Sequence, residues 1–316
     1  MSRIAQVAES IRTEVRKAVV GQDKLVDQVL VTLLANGHVL LEGVPGVAKT
    51  LLVRAIAQTL GLQYSRIQFT PDLMPSDVVG TNVFDARKVD FTLRTGPIFA
   101  NVLLADEINR TPPKTQSALL EAMEERQCTI DGERHALPAP FLVFATRNPI
   151  EYEGTYPLPE AQQDRFLMKV LVGYPSREEE IEVIRRFHSG FRSQDLGAVG
   201  IQTVTNAEQL IELQAEAARI QMDDRMFNYV YGIVASTRDN HEIQIGASPR
   251  ASLSLVACSK ALAGIRGRDF VIPDDIKEVA IPILRHRVLI RADVDTQGIT
   301  VDDVIQDILD AQEVPR

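Results

Sequence analysis

Apolar residues in the first half of the chain fall into short runs, which are separated by longer segments with a helical period. The short runs span residues 39–41, 63–69, 101–106, 141–146 and 168–172. Runs of this length are typical of strands that are buried on both faces, and the segments between them predict amphipathic helices, as at residues 50–61 and 113–126. Strands that alternate with helices indicate an α/β fold, in which helices cover both faces of a parallel sheet.

Two further segments interrupt this alternation. Residues 81–95 alternate apolar and polar side chains, which is typical of extended strands. Residues 128–137 contain Asp131-Gly132, a dipeptide that favours a tight hairpin turn. Both segments therefore predict β-hairpins inserted into the α/β unit.

The two ends of the chain are predicted to be helical. Residues 1–21 have an amphipathic period with charges throughout, and residues 23–34 form a second helical pattern. After residue 206, four helical periods follow one another with no strand among them. They span residues 207–220, 224–237, 248–263 and 274–289. We therefore predict an α/β domain over residues 1–190 and a smaller α-helical lid over residues 191–316.

Composition narrows the classes of partner. The chain has 316 residues, 45% of them hydrophobic, with a net charge of -9 and a pI near 5.2, which disfavours general affinity for nucleic acid or anionic membrane. Cys128 and Cys258 are far apart, and the five histidines form no metal-ligand pattern. Because no signal peptide or membrane-spanning run is visible, we expect a cytoplasmic protein with reduced thiols.

A glycine-rich turn joins the first apolar strand to the helix that follows it. Gly43 and Gly46 let the backbone approach a phosphate chain closely, and Pro45 stiffens the loop between them. Lys49 can reach the outer phosphates, while Thr50 places a hydroxyl where it can ligate Mg²⁺. The positive end of the helix also faces the bound anion. These features predict a phosphate-binding loop.

This loop resembles the Walker A motif of P-loop nucleotidases. Ala48 stands where the general pattern has a glycine, and its methyl group could hinder a backbone conformation with positive φ. The alternative interpretation is an ordinary turn between a strand and a helix. The context of an apolar strand before the loop and a helix after it favours the nucleotide-binding interpretation.

Four apolar residues followed by two carboxylates form a second motif, at residues 102–107. At the carboxyl end of a parallel strand beside the phosphate loop, Asp106 would hold Mg²⁺ directly or through water. Glu107 would orient and polarise the water that attacks the γ-phosphate. This segment matches the Walker B motif, and together the two motifs predict ATP and Mg²⁺ as ligands.

Three more motifs follow in order. They are residues 145–149 (Ala-Thr-Arg-Asn-Pro), 160–166 (Glu-Ala-Gln-Gln-Asp-Arg-Phe) and 246–251 (Gly-Ala-Ser-Pro-Arg-Ala). With the first two motifs they resemble an AAA+ ATPase over nearly the whole chain, and residues 106–132 are similar to the MoxR family within it. The resemblance implies a P-loop AAA+ core with a C-terminal α-helical lid. The two hairpins resemble the helix-2 insert and the pre-sensor-1 hairpin of the clade that holds MoxR.

The resemblance also implies roles for individual residues. Asn148 resembles sensor 1, Arg165 the arginine finger that acts on a neighbouring subunit's ATP, and Arg250 sensor 2. Gln68 resembles in position the residue that restrains the Walker B glutamate in some AAA+ proteins. The residues predicted to contact the nucleotide are Gly21, Gly43, Val44, Pro45, Gly46, Val47, Ala48, Lys49, Thr50, Leu51 and Asp106, with Thr50 and Asp106 on the metal.

Each of these assignments has a simpler alternative. Asn148 could be an ordinary turn residue, since it precedes a proline. Arg165 could pair with Asp164 or Glu160 on its own helix, and Arg250 could belong to the start of its helix.

The resemblance as a whole implies a cytoplasmic, Mg²⁺-dependent AAA+ ATPase that forms a hexameric ring. It would use ATP hydrolysis to remodel or help mature a partner protein, and it would have a partner with a von Willebrand A domain. One alternative is a nucleic-acid-remodelling motor, although residues 125–135 around the second hairpin show no excess of positive charge. Another is a nucleotide-gated binding switch with little turnover, which the presence of Glu107 disfavours.

Overall fold

The computed structural model describes residues 2–87, 89–148, 156–192 and 195–315. Its helices are α1 (Arg3–Ala18), α2 (Asp23–Leu34), α3 (Lys49–Thr59), α4 (Pro75–Val79), α5 (Pro113–Glu125), α6 (Glu160–Gln163), α7 (Arg177–His188), α8 (Leu196–Val199), α9 (Ala207–Ala218), α10 (Asp224–Asp239), α11 (Pro249–Ile265), α12 (Pro273–Leu284), α13 (Ala292–Asp295) and α14 (Val301–Ala311), with a short 3-10 helix at Ile108–Arg110. Its strands are β1 (Val39–Glu42), β2 (Tyr64–Gln68), β3 (Gly80–Asp85), β4 (Asp90–Thr95), β5 (Val102–Asp106), β6 (Gln127–Ile130), β7 (Glu133–Ala136), β8 (Leu142–Arg147), β9 (Met168–Leu171), β10 (Ile243–Ile245) and β11 (Leu289–Ile290).

Five of these strands form one parallel sheet in the order β2-β5-β8-β1-β9. Gln68 lies opposite Asp106, and Leu41 lies opposite Thr146, so the carboxyl ends of the strands are close to level. The predicted α/β class is therefore confirmed. In such a sheet the edge formed by the carboxyl ends is where ligands bind.

Helices cover both faces of the sheet, as expected. On one face α2 and α3 pack against the sheet and α1 packs on α3, and alternate strand residues such as Leu41, Leu104 and Phe144 are buried there. On the other face α5 packs against the residues in between, such as Leu103 and Val143. This two-sided burial explains why the strands are continuous apolar runs.

Both predicted hairpins are present. β3 pairs with β4, and β6 pairs with β7 through the turn at Asp131, which adopts a positive φ of 50°. The Asn82 side-chain amide donates to Asp131 at 2.9 Å, so the two hairpins contact each other.

The helical C-terminal part differs from the prediction in two ways. The helix expected at residues 274–289 ends at Leu284, and a short antiparallel pair, β10 with β11, lies among the helices. The expectation of four helices with no strand among them is therefore wrong. Helices α9 and α11 of this part pack against α1 and α2, so the two predicted domains share apolar contacts, and the boundary near residue 190 stays a prediction. The described part of the chain contains no helix with both the length and the hydropathy of a membrane span.

Candidate active site

The phosphate-binding loop runs from the end of β1 to the start of α3. Gly46 has φ of +89°, and a Cβ atom added there would meet nothing within 4 Å, so the loop is open on that side. Ala48 has φ of +60° and precedes α3, so alanine adopts the left-handed conformation that its methyl group disfavours. The Lys49 ammonium donates to the Gly43 carbonyl and, at 3.4 Å, to the Val44 carbonyl. Lys49 thus folds back over its own loop.

Two glycines among the predicted nucleotide contacts have packing roles in this structure. A Cβ atom on Gly43 would lie 2.3 Å from the Val172 carbonyl oxygen, because the loop runs close to the end of β9. Gly21 has φ of +65°, and a Cβ atom there would lie 2.0 Å from the Glu179 carboxylate. Contact of either residue with a nucleotide stays a prediction.

Asp106 ends β5 and is held by hydrogen bonds from both neighbouring strands. Its Oδ1 accepts from Thr146 Oγ1 at 2.5 Å, across to β8. Its Oδ2 accepts from Arg66 of β2, at 3.1 Å from Nε and 2.6 Å from Nη2. Thr146 and Arg66 received no role in the sequence analysis. For Arg66 a signal was available. It lies two residues before Gln68 on β2, and side chains two apart on a strand share a face, so Arg66 could have been placed on the same face as Asp106.

Glu107 has a strained backbone and two side-chain partners. Its φ is +57°, and its amide donates to Thr146 Oγ1 at 2.8 Å. Its Oε2 accepts from Gln68 Nε2 at 2.6 Å and lies 3.2 Å from Arg110 Nε. The structure therefore brings Gln68 and Glu107 together.

The donors at this edge suit Mg²⁺. The Thr50 hydroxyl and the Asp106 carboxylate are hard oxygen ligands, and Mg²⁺ usually takes one or two carboxylates together with substrate phosphates. In the described part of the chain, no group of three or more His, Cys, Asp or Glu residues could hold a metal alone. A site completed by a nucleotide does not require such a group.

Asn148 lies directly after β8 and is only 6% exposed. It shares the carboxyl edge with Asp106 and Glu107, because β8 lies next to β5 in the sheet. Pro149, the last residue of its motif, lies outside the described residues.

Arg165 and Arg250 meet at one carboxylate. Arg165 Nη2 lies 3.1 Å from Glu124 Oε2, and Arg250 Nη2 lies 2.7 Å from Glu124 Oε1. The simpler alternative, in which Arg165 pairs with Asp164 or Glu160, is not what the structure has, since the ion pair of Arg165 is with a residue near the end of α5. Helix α6 ends at Gln163, so Arg165 lies beyond its last residue.

Hydrogen bonds from lid residues hold the segment that carries Arg165. Arg287 Nε donates to Asp164 Oδ1 at 2.6 Å, and its Nη2 donates to the Phe166 carbonyl at 2.7 Å. His286 Nε2 also contacts the Phe166 carbonyl at 2.9 Å. Burial lowers the pKa of Arg287, whereas the hydrogen bond to Asp164 raises it. Asp164 is thus held by the lid and is not the partner of its neighbour Arg165.

The two arginines line an open cleft of about 320 Å³, between α5, the segment after α6 and the start of α11. Burial, together with the nearby Arg126 guanidinium, lowers the pKa of His38 in this cleft to about 3, so the imidazole is neutral at physiological pH. None of the described residues that line the cleft belongs to the loop at 43–51. The phosphate loop and the arginine cleft are therefore separate sites on one chain.

Comparisons with known proteins agree with this architecture. Residues 38–168 match the model of an ATPase family associated with various cellular activities, and residues 235–308 match an AAA lid domain. The chain is 47% identical to Chaperone MoxR1 of Mycobacterium tuberculosis, over 96% of this chain and 81% of that protein. It is 31% identical to Protein MoxR of Methylorubrum extorquens, over 90% and 88% of the two chains. A crystal structure from Cytophaga hutchinsonii, provisionally described as an ATPase, superposes with a TM-score of 0.90 at 41% identity, over 99% of this chain and 96% of that one.

Proposed function

The chain belongs to the MoxR family of AAA+ ATPases, and we propose that it hydrolyses ATP with Mg²⁺ as a ring and thereby remodels or helps mature a partner protein. The observation that carries this proposal is the convergence of Lys49, Asp106, Glu107 and Asn148 on one edge of the sheet. β5, β8 and β1 are adjacent there, so a γ-phosphate in the loop would lie beside the groups that act on it.

Each group at this edge has a distinct task in the proposal. The loop amides and Lys49 bind the phosphates, and Thr50 and Asp106 would hold Mg²⁺, which would supply positive charge to neutralise the phosphates. Glu107 orients and polarises the attacking water, and Asn148 helps to place it. Thr146 holds both acids in position, because it donates to the Asp106 carboxylate and accepts from the Glu107 amide.

The ring is supported by the arginine cleft. Arg165 and Arg250 are cations outside the phosphate loop of their own chain, and their shared partner Glu124 is 39% exposed. Surface ion pairs of this kind are worth about 0 to 1 kcal/mol, so a γ-phosphate from a neighbouring subunit can replace the carboxylate. We propose that both arginines act on the neighbour's ATP, in a ring of six subunits.

A protein client is supported by the name of the mycobacterial relative and by the first hairpin. Phe84 and Phe91 are 53% and 67% exposed, and their rings pack edge to face with centroids 5.5 Å apart. An exposed apolar tip suits a protein surface. The second hairpin carries Glu133 beside Arg134, so it offers no positive stripe for nucleic acid. From the family resemblance we propose a von Willebrand A domain in the partner.

The Glu107→Gln variant tests this function. It should bind ATP with Mg²⁺ and lose hydrolysis, because it keeps the metal site and removes only the water-orienting carboxylate. Clients trapped in the ATP state should then be recovered with this variant and not with wild type in ADP. Glu208→Gln, at an exposed position in the first turn of α9, is the matched control and should behave as wild type. Near-normal phosphate release by Glu107→Gln would refute the role of Glu107.

A nucleotide-gated switch with little turnover is the second candidate. It is favoured by the two restraints on Glu107, from Gln68 and Arg110, which hold its carboxylate in place. A phosphate-release assay separates the two functions. Sustained multiple turnover supports the motor, and release limited to one phosphate per subunit supports the switch.

A further inference from the structure

Arg66 provides the cation that neutralises Asp106 in this structure. Tyr64, Arg66 and Gln68 alternate along β2, so their side chains share the face of the sheet on which Asp106 lies. The guanidinium donates two hydrogen bonds to Oδ2 of the carboxylate, whereas Oδ1 accepts from Thr146. Displacement of Arg66 would therefore free Oδ2 for a metal ion.

The same guanidinium sets the orientation of Gln68. Arg66 Nη2 donates to Gln68 Oε1 at 2.7 Å, and Gln68 Nε2 donates to Glu107 Oε2 at 2.6 Å. Guanidinium groups only donate and carboxylates only accept, so a single orientation of the Gln68 amide satisfies both neighbours. Asp106, Arg66, Gln68 and Glu107 thus form one continuous chain of hydrogen bonds.

We propose that Arg66 holds the place of Mg²⁺ on Asp106 and links arrival of the metal to release of Glu107. With ATP bound, Asp106 would hold Mg²⁺, and Arg66 would give up its hydrogen bonds to this carboxylate. Gln68 then loses the donor that fixes its amide, and its hold on Glu107 weakens. Arg66 is in this sense a positioning residue, because it acts on the water-orienting carboxylate through Gln68. The inference rests on the proposed role of Asp106 in binding Mg²⁺.

The exchange is feasible because the Arg66 pair is partly hydrated. The Arg66 side chain is 47% exposed, whereas that of Asp106 is 12% exposed. A half-exposed arginine can swing into water at little cost, while Asp106 stays in place through Thr146. The carboxylate is therefore a fixed ligand with an exchangeable cation.

The test is the Mg²⁺ concentration that half-saturates binding of a non-hydrolysable, fluorescent ATP analogue to the full chain. Arg66→Ala removes the competing cation, so this concentration should fall about three- to tenfold. Arg16→Ala is the matched control, because Arg16 has the same 47% exposure and pairs with Asp23 in another part of the chain. It should leave the Mg²⁺ dependence unchanged. Thermal unfolding of each variant checks that folding is retained.

A second measurement separates a placeholder from a phosphate ligand. Analogue binding with EDTA in place of Mg²⁺ should be unchanged in Arg66→Ala, because in the proposed role Arg66 does not contact the nucleotide. Weaker binding in EDTA, or an unchanged or higher Mg²⁺ requirement, would overturn the inference. If Asp106→Asn left the Mg²⁺ dependence of binding as in wild type, the proposed role of Asp106 would fail instead, so the two failures are distinguishable.

Discussion

The carboxyl edge of the sheet and the arginine cleft differ in how their charges are satisfied. At the sheet edge, Asp106 is nearly buried and receives hydrogen bonds from two neighbouring strands. In the cleft, Arg165 and Arg250 come from different parts of the chain and share Glu124 at a partly exposed position. One region has its groups fixed by a rigid sheet, and the other has cations whose present partner is easily exchanged. We infer that one chain supplies the binding and water-activating half of a site, while its cleft serves the next subunit.

The largest expected effect comes from the cleft. Arg165→Ala should lower ATP turnover by about 10³ to 10⁵, the range for arginines that stabilise charge on a transferring phosphoryl group in other nucleotidases. ATP binding should stay within a few-fold of wild type. Turnover kinetics and equilibrium binding of a fluorescent ATP analogue check both values. Arg291→Ala, an exposed arginine in the lid that pairs with Asp293, is the control. If ATP binding fell as much as turnover, Arg165 would act on the nucleotide of its own subunit, and the proposed difference between the two regions would be refuted.

The next effect is at the sheet edge, where the variant should lose ATP binding itself. Lys49→Ala should weaken ATP binding roughly 10- to 100-fold, because each hydrogen bond between an ammonium and a phosphate contributes about 1.5 to 3 kcal/mol. Isothermal titration with a non-hydrolysable analogue measures this loss. Lys24→Ala, on the exposed side of α2, should bind normally. Normal affinity in Lys49→Ala would mean that the loop at 43–51 is only a turn.

The smallest effect sharpens the account of the cleft. Glu124→Gln removes the shared anion from two partly exposed arginines, so the free energy of unfolding should fall by only about 0 to 1 kcal/mol. Urea unfolding measures it, and turnover of the assembled protein should stay within about threefold of wild type. A loss of several kcal/mol would show that Glu124 holds the lid on the core and is not an exchangeable partner.

The sequence pattern predicted the sheet strands and most helices because apolar runs and helical periods are local signals. It could not predict the strand order, which depends on contacts between distant segments, or the pair β10 and β11, whose two or three residues are too few to show alternation. The motifs placed Asp106 and Glu107 at the end of a buried strand, where the structure has them.

Partners that lie far apart in sequence were predictable only where the family resemblance supplied them, as it did for Gln68 and Glu107. Arg165 pairs with Glu124, about forty residues earlier, and Asp164 is taken by Arg287 from the lid. Ion pairs between segments that meet only in the folded chain leave no periodic trace. The role of Thr146 was not predicted for the same reason, because its two hydrogen bonds run from β8 to the end of β5.

The central claim is that each active site takes Arg165 from a neighbouring subunit, and a mixing experiment tests it most directly. Arg165→Ala and Glu107→Gln subunits, each inactive alone, are combined in equal amounts after sizing has confirmed co-assembly. At each head-to-tail interface one subunit supplies Glu107 and its neighbour supplies Arg165. In an equal mixture each of these residues is wild type at half of the interfaces, so both are wild type at about a quarter of them. Hydrolysis should therefore return to about a quarter of the wild-type rate and depend on protein concentration. A co-assembled mixture as inactive as its components would contradict the shared site.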